Sequence, residues 1–229
     1  MSTIANFEQW FDDRVRDAAG RITSLQRQTA IQDALKQYAA VRPVEVVTDY
    51  PGDGTTFDLA LPAGWVTDFS IVRRIEYPAG RREPVFLERE DWGFYRTPSA
   101  LKLRLYTVTP ATGQTLRLTW TKPHVVDYVG STVPLTDEDA VADLAASIGL
   151  RTLAAVFAGT VDPTIAADSV DYRSKSKEYS DLAREYEKRY RVKLGLDQTS
   201  EAKPAGGFVD VDQGGPFGMD KLTHPNRTR

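Results

Sequence analysis

The chain has 229 residues, 41% of them hydrophobic and 27% charged, with 29 basic against 32 acidic side chains and a net charge of −3. That length suits one large domain or two small ones with a real core, and the apolar and aromatic content argues against wholesale disorder. No apolar run approaches the roughly 20 residues of a membrane-spanning helix. The start, residues 1–8, has neither the basic nor the apolar block of a signal peptide, so the chain reads as soluble and unsecreted.

Zero cysteines exclude disulfides, thiolate chemistry and cysteine-ligated metal centres. The only two histidines, His124 and His224, lie too far apart in sequence for a His-x-x-x-His metal site. No Gly-x-Ser-x-Gly elbow and no glycine-rich phosphate loop is present. A net charge near zero gives no global pull towards nucleic acid. Composition therefore leans against an enzyme, and no cofactor or metal is expected.

Ile4, Phe7, Trp10, Phe11, Val15 and Ala18 recur at three- and four-residue steps and predict a first helix that Gly20 ends. Thr23-Ser24-Leu25-Gln26 is a capping-box sequence that opens a second helix, with Leu25, Ile31, Ala34, Leu35 and Tyr38 as its apolar stripe and Pro43 beyond its end. Two short helices so joined should form an antiparallel hairpin.

From about Val44 to Val129 the period changes to two. Segments 44–47, 56–61, 70–77, 84–88, 101–106 and 115–120 read as strands, punctuated by Pro- and Gly-rich turns. The last two place leucines on one face and Lys102, Arg104, Arg117 and Thr119 on the other, and 109–114 reads as a hairpin turn between them. Six such strands predict a small antiparallel sandwich or barrel.

Helix returns at Thr136, whose following acids Asp137, Glu138 and Asp139 suit the positive end of a helix dipole. The segment to Phe157 is apolar around most of its circumference and should be the central, most buried helix, ending near Gly159. A last helix is predicted from Asp168 to Leu194, stopped by Gly195, with Tyr172, Tyr179, Leu182, Tyr186 and Tyr190 on one stripe. From Tyr172 on, its other faces carry eight bases against four acids, and its length of ~40 Å suggests a helix that leans on another subunit. Lys175, Arg184, Lys188 and Arg191 are candidates for contact with a neighbour or with DNA.

The 34 residues after Gly195 contain five glycines and three prolines without periodicity. They predict a flexible tail of roughly 30–35 Å end to end, studded with the apolar residues Phe208, Val209, Val211, Phe217, Met219 and Leu222 as anchors for a partner. The predicted organisation is α+β: a discontinuous bundle of about four helices from 1–43 and 132–195, an inserted β domain at 44–131, and an extended tail at 196–229.

Acids at 12, 13, 17 and 137–139 occupy helix starts and polar faces, where they serve dipole and solubility. Asp210-Val211-Asp212 lacks the remaining ligands of a calcium loop. Trp65, Trp92, Trp120 and Tyr95 could line a sugar-binding face but are expected as core. His124 is expected at a domain boundary, and His224 in solvent.

Taken in order, a helical hairpin carrying 30–38, a β stretch containing 57–62 and 75–78, a helix pair containing 136–140 and Asp171-Tyr172, and a loose tail resemble the head-to-tail adaptor (head-completion) proteins of tailed bacteriophages and prophages. The resemblance covers roughly residues 20–195 and rests on arrangement. It implies a non-enzymatic virion protein of the neck, assembled in the host cytoplasm as a ring of usually twelve copies. Such a ring binds the portal, extends the DNA channel without sequence specificity and offers a platform to the next tail component, with no membrane involved. It further implies that Tyr172, Tyr179, Leu182, Tyr186 and Tyr190 pack the bundle and its neighbours, and that Phe208, Val209, Val211, Phe217, Met219 and Leu222 dock on the portal. The β insert of about 85 residues exceeds that of purely helical members. The alternatives are a carbohydrate- or receptor-binding tail module built on the β domain, or an enzyme using paired acids such as Asp12 and Asp137.

Overall fold

The computed structural model describes residues 2–17, 20–158 and 175–196. Tyr172 and all six tail anchors, with Asp210-Val211-Asp212 and His224, lie outside the described residues. Helix α1 (Ile4–Val15) buries Ile4, Phe7, Phe11 and Val15. It ends earlier than its apolar repeat predicts, because Arg16 turns left-handed (φ 48°) and its N–H closes the last turn on the Asp12 carbonyl at 3.0 Å.

Helix α2 (Ser24–Val41) starts as its sequence requires. The Gln26 N–H donates to Thr23 Oγ1 at 3.2 Å, and the Thr23 N–H donates to Gln26 Oε1 at 2.9 Å. Leu25 departs from the predicted stripe: it is 72% exposed, because the inward stripe begins only at Ala30.

Between α2 and the next helix lie two three-stranded antiparallel sheets. One has β1 (Val44–Pro51) and β3 (Val72–Glu76) flanking β6 (Thr115–Lys122). The other has β2 (Asp58–Ala60) and β4 (Trp92–Arg96) flanking β5 (Leu101–Leu105). Leu59, Ile75, Trp92, Leu103, Leu105, Leu116, Leu118 and Trp120, drawn from both sheets, form one core, so alternation along each strand fills the space between two layers. The expected hairpin between β5 and β6 does not form: consecutive in sequence, they belong to different sheets. Segment 84–88 is no named strand and keeps one bridge, Phe86 to Glu76. Strand β4, absent from the sequence reading, has Gly93 as its second residue, and its leading Trp92 is buried.

Helix α3 (Leu135–Ala158) packs against α1, α2 and α4 (Lys175–Leu194), the central place that its near-continuous apolar circumference demands. Gly149 has a structural reason: a Cβ there would stand 2.4 Å from Phe11 Cζ. Contrary to the reading of apolar runs, α3 is long and apolar enough to cross a membrane, but 67% of that window is buried within the protein. Asp137 and Glu138, expected as solvated dipole partners, are only 6% and 5% exposed, because the start of α3 is enclosed by its neighbours. The described part of α4 is 20 residues, about 30 Å, shorter than α3; residues 168–174 of the predicted helix lie outside the described residues.

Candidate functional site

Both crossings between helices and strands meet at one joint. The chain leaves α2 through Arg42-Pro43 and returns through Pro123-His124 to Pro134 and α3. Arg42 is its centre. Nη1 donates to Asp137 Oδ2 at 2.7 Å and Nη2 to the Leu194 carbonyl, the end of α4, at 3.0 Å. Its own carbonyl accepts from His124 Nε2 at 2.8 Å, which fixes that nitrogen as the protonated one. His124 Nδ1 lies 3.1 Å from Thr132 Oγ1, and its ring sits 4.9 Å from that of Tyr38. Tyr38 in turn donates to Asp137 Oδ2 at 2.6 Å.

This geometry shapes the titration of each group. Burial pushes Asp137 up, yet hydrogen bonds from Tyr38, Arg42 and Thr136 and the Arg42 charge outweigh it, leaving the carboxyl below its ordinary value. Burial and the bond to Asp137 raise Tyr38 well above the usual phenol range. Burial lowers His124 from 6.5 despite its bond to the Arg42 carbonyl. The joint lines a cleft of about 380 Å³. Its groups face one another and are saturated by backbone and side-chain partners, which suits holding two parts of a protein together.

A second ionic cluster joins three helices. Asp143 in α3, 2% exposed, accepts from Arg14 Nε of α1 at 2.7 Å and from Lys193 Nζ of α4 at 2.5 Å. Asp139 pairs with the same two bases. The Lys193 bond holds Asp139 below its ordinary value. Opposite charges that share one partially buried site are stabilised only when their hydrogen bonds are complete, and here each acid has two cationic partners.

The tyrosine stripe of α4 divides. Tyr190 is buried, while Tyr179, Leu182 and Tyr186 are half-buried against the helical core, and the Tyr179 ring stacks on Phe157 at 5.4 Å. Tyr190 Oη is buried without a hydrogen-bond partner among the described residues. Lys175, Arg184, Lys188 and Arg191 are all exposed. Arg184 reaches Asp181 at 3.5 Å and Arg191 reaches Glu187 at 2.9 Å, so part of the basic face is neutralised within α4.

The aromatic residues that a sugar-binding face would need are mostly interior. Trp92 and Trp120 are buried and Trp65 packs on the same core, its ring 5.6 Å from that of Trp120. Tyr95 alone faces outward, stacked 3.5 Å from the Arg104 guanidinium, which Asp58 holds with two hydrogen bonds of 2.6 and 2.7 Å. Asp12 and Asp137 do not come together: Asp12 pairs with Arg27 and Asp137 with Arg42. No cluster of three or more potential metal ligands occurs among the described residues. Arg42 was missed by the sequence reading, and its only sequence signal was a charged residue set directly before a proline at a helix end.

No protein-family model matches the chain, and no curated protein does. Among solved structures, the chain is similar to one from the neck of a native GTA particle computed with C12 symmetry. That match has 15% identity and a TM-score of 0.27, over 74% of this chain and 85% of that one. A second, from the neck of an empty GTA particle computed with C6 symmetry, has 12% identity and a TM-score of 0.29, over 76% and 87%. Superpositions this loose carry no argument by themselves.

Proposed function

We propose that this chain is a structural subunit of a tailed-phage-type neck, a head-to-tail adaptor whose copies form a ring, bind the portal and extend the DNA channel towards the tail. One observation carries the reading. Helices α1 and α2 before the strands and α3 and α4 after them share a single core around α3, with the β layers held to it at the Arg42 joint, which is the order of parts the adaptor resemblance requires. In this reading 44–131 is an inserted domain that meets the next tail component or the outside of the ring. The α4 stripe of Tyr179, Leu182, Tyr186 and Tyr190 then packs the bundle, and Lys175, Arg184, Lys188 and Arg191 face a neighbour or the phosphates of passing DNA, a contact without sequence information. Phe208, Val209, Val211, Phe217, Met219 and Leu222 dock on the portal, each contact modest and the ring multiplying them.

Truncation after Gly195 tests this directly. The shortened chain is expected to keep the thermal transition of the full chain and to lose attachment to portal-bearing heads in a sedimentation assay. Attachment at the full-length level would refute the tail's role.

A further inference from the structure

The two sheets leave one flank of the β layers open. Strand β3 ends one sheet and β4 ends the other, and among the described residues no strand lies beyond β4. Segment 85–87 covers only the later part of β3. The Tyr77 N–H donates to the Val85 carbonyl and the Leu87 N–H to the Ile75 carbonyl, each at 2.9 Å. The chain then leaves for β4 through a single 3-10 turn, Arg89–Asp91. Between the start of β3 and β4 lies a groove of about 380 Å³. That is at the small end of ligand-pocket volumes, roughly 300–1,000 Å³, and suits a few side chains of an extended segment rather than a folded domain.

The apolar surface of the groove is open to solvent: Ile71, Phe86 and Phe94 line it at 49%, 43% and 40% exposure. Three guanidinium groups line it too, those of Arg73, Arg74 and Arg89, against one acid, Glu88. The ion pairs of the β layers join Arg73 to Glu45, Arg104 to Asp58 and Arg117 to Asp49 and Glu76, and they leave Arg74 and Arg89 without an acid. Each of these two lies over an aromatic ring instead, Arg74 at 5.5 Å from the centre of Phe86 and Arg89 at 4.0 Å from that of Trp92. A guanidinium seated on a ring keeps its donors free for a carboxylate, which it binds through two parallel N–H···O bonds. The same placement takes up ring faces on which a base would stack, which favours a peptide over single-stranded nucleic acid.

We propose that this groove binds an extended peptide segment of another protein, one that alternates acidic and aliphatic residues and lies along the free edge of β4. An edge strand offers unpaired N–H and C=O groups to a further strand. Alternation sends successive side chains to opposite sides of the added strand, so its aliphatic residues cover Ile71, Phe86 and Phe94 while its carboxylates meet Arg74 and Arg89. With Arg73 paired to Glu45, Arg74 and Arg89 still outnumber Glu88, so an acidic segment offsets the charge of the groove and a basic one adds to it. The inference goes beyond the neck reading and needs no ring; within that reading, the segment belongs to the component that 44–131 meets.

Calorimetric titration of the full chain with an acetylated hexapeptide of alternating valine and aspartate tests this. Saturable binding that weakens as salt rises is the expected result. Lysine in place of the aspartates should abolish it by charge, and N-methylation of the peptide's backbone amides should abolish it by blocking strand pairing. Arg74→Gln/Arg89→Gln should bind about tenfold more weakly, the effect of losing two solvent-exposed ion pairs. Both side chains are exposed, so this variant should keep the wild-type thermal transition, and Arg81→Gln, exposed and outside the groove, should bind as the wild type does. No saturable binding, or equal binding by the double variant, overturns the proposal and leaves the neck reading standing. A short oligothymidylate that binds more tightly than the peptide, and loses that affinity in the double variant, overturns the peptide occupant in favour of nucleic acid. Peptide binding by a chain that never attaches to portal-bearing heads upholds the groove and overturns the neck reading alone.

Discussion

Replacing Asp137 with Asn probes the joint where helices meet strands. The carboxylate accepts from Tyr38 Oη at 2.6 Å, Arg42 Nη1 at 2.7 Å and Thr136 Oγ1 at 3.1 Å, and its side chain is 8% exposed. Asparagine keeps the shape but loses the charge and must turn an amide towards one of three donors. Hydrogen bonds to a charged group contribute about 1.5–3 kcal/mol each when lost. Arg42 is about half-exposed and recovers part of its solvation in water, so the cost of the variant should be about 2–4 kcal/mol rather than their sum. Urea denaturation at pH 7 reads this as a lower midpoint at unchanged slope. A Tyr38→Phe/Asp137→Asn cycle should show a coupling of about 1 kcal/mol, because the two groups share one bond. The acid limb supplies an independent readout. Asp137 titrates lower in the folded state than its ordinary 3.8, so its contribution is complete above that value and disappears as pH falls through the folded value. The Asn variant should therefore lose less stability than the wild type below pH 4. Stability within about 0.5 kcal/mol of wild type, together with an unchanged acid limb, would refute the account of the joint.

Gly149→Ala should destabilise by about 1–3 kcal/mol in the same urea assay, because the new Cβ would stand 2.4 Å from a ring atom of buried Phe11 and this crowding exceeds the roughly 1 kcal/mol by which helices prefer alanine. A stabilised variant would show that α1 can move aside. His124→Gln should flatten the stability profile as pH falls below 6.5. The folded imidazole titrates below its ordinary 6.5, so stability present above that pH is lost as pH falls through the folded value, and glutamine removes the titration. A profile that keeps its full slope in the variant would place the titrating group elsewhere.

Local signals told most where one residue type suffices to decide. The Thr23–Gln26 capping box fixed the start of α2 because its two bonds are made within one turn of chain. The alternating leucines of β5 and β6 marked their buried face because pleating alone sets that period. The apolar circumference of 135–158 marked α3 as central. The α1 terminus was misplaced because an apolar repeat does not register a backbone that leaves the helix at Arg16.

What tertiary structure decided is which distant pieces meet. Two adjacent strands separated by a turn look like a hairpin, yet β5 and β6 went to different sheets, a choice set by their non-local partners β1 and β2 rather than by the turn. Asp137, with acids beside it at a helix start, is indistinguishable in sequence from a solvated dipole partner. Only the arrival of Tyr38 from 99 positions away and Arg42 from 95 makes it the buried centre of the joint. By itself the sequence determined the α+β composition and the order of helix and strand, because those depend on spacing within a few residues. Pairing, burial and surface shape depend on contacts between residues far apart, and those the fold alone supplied.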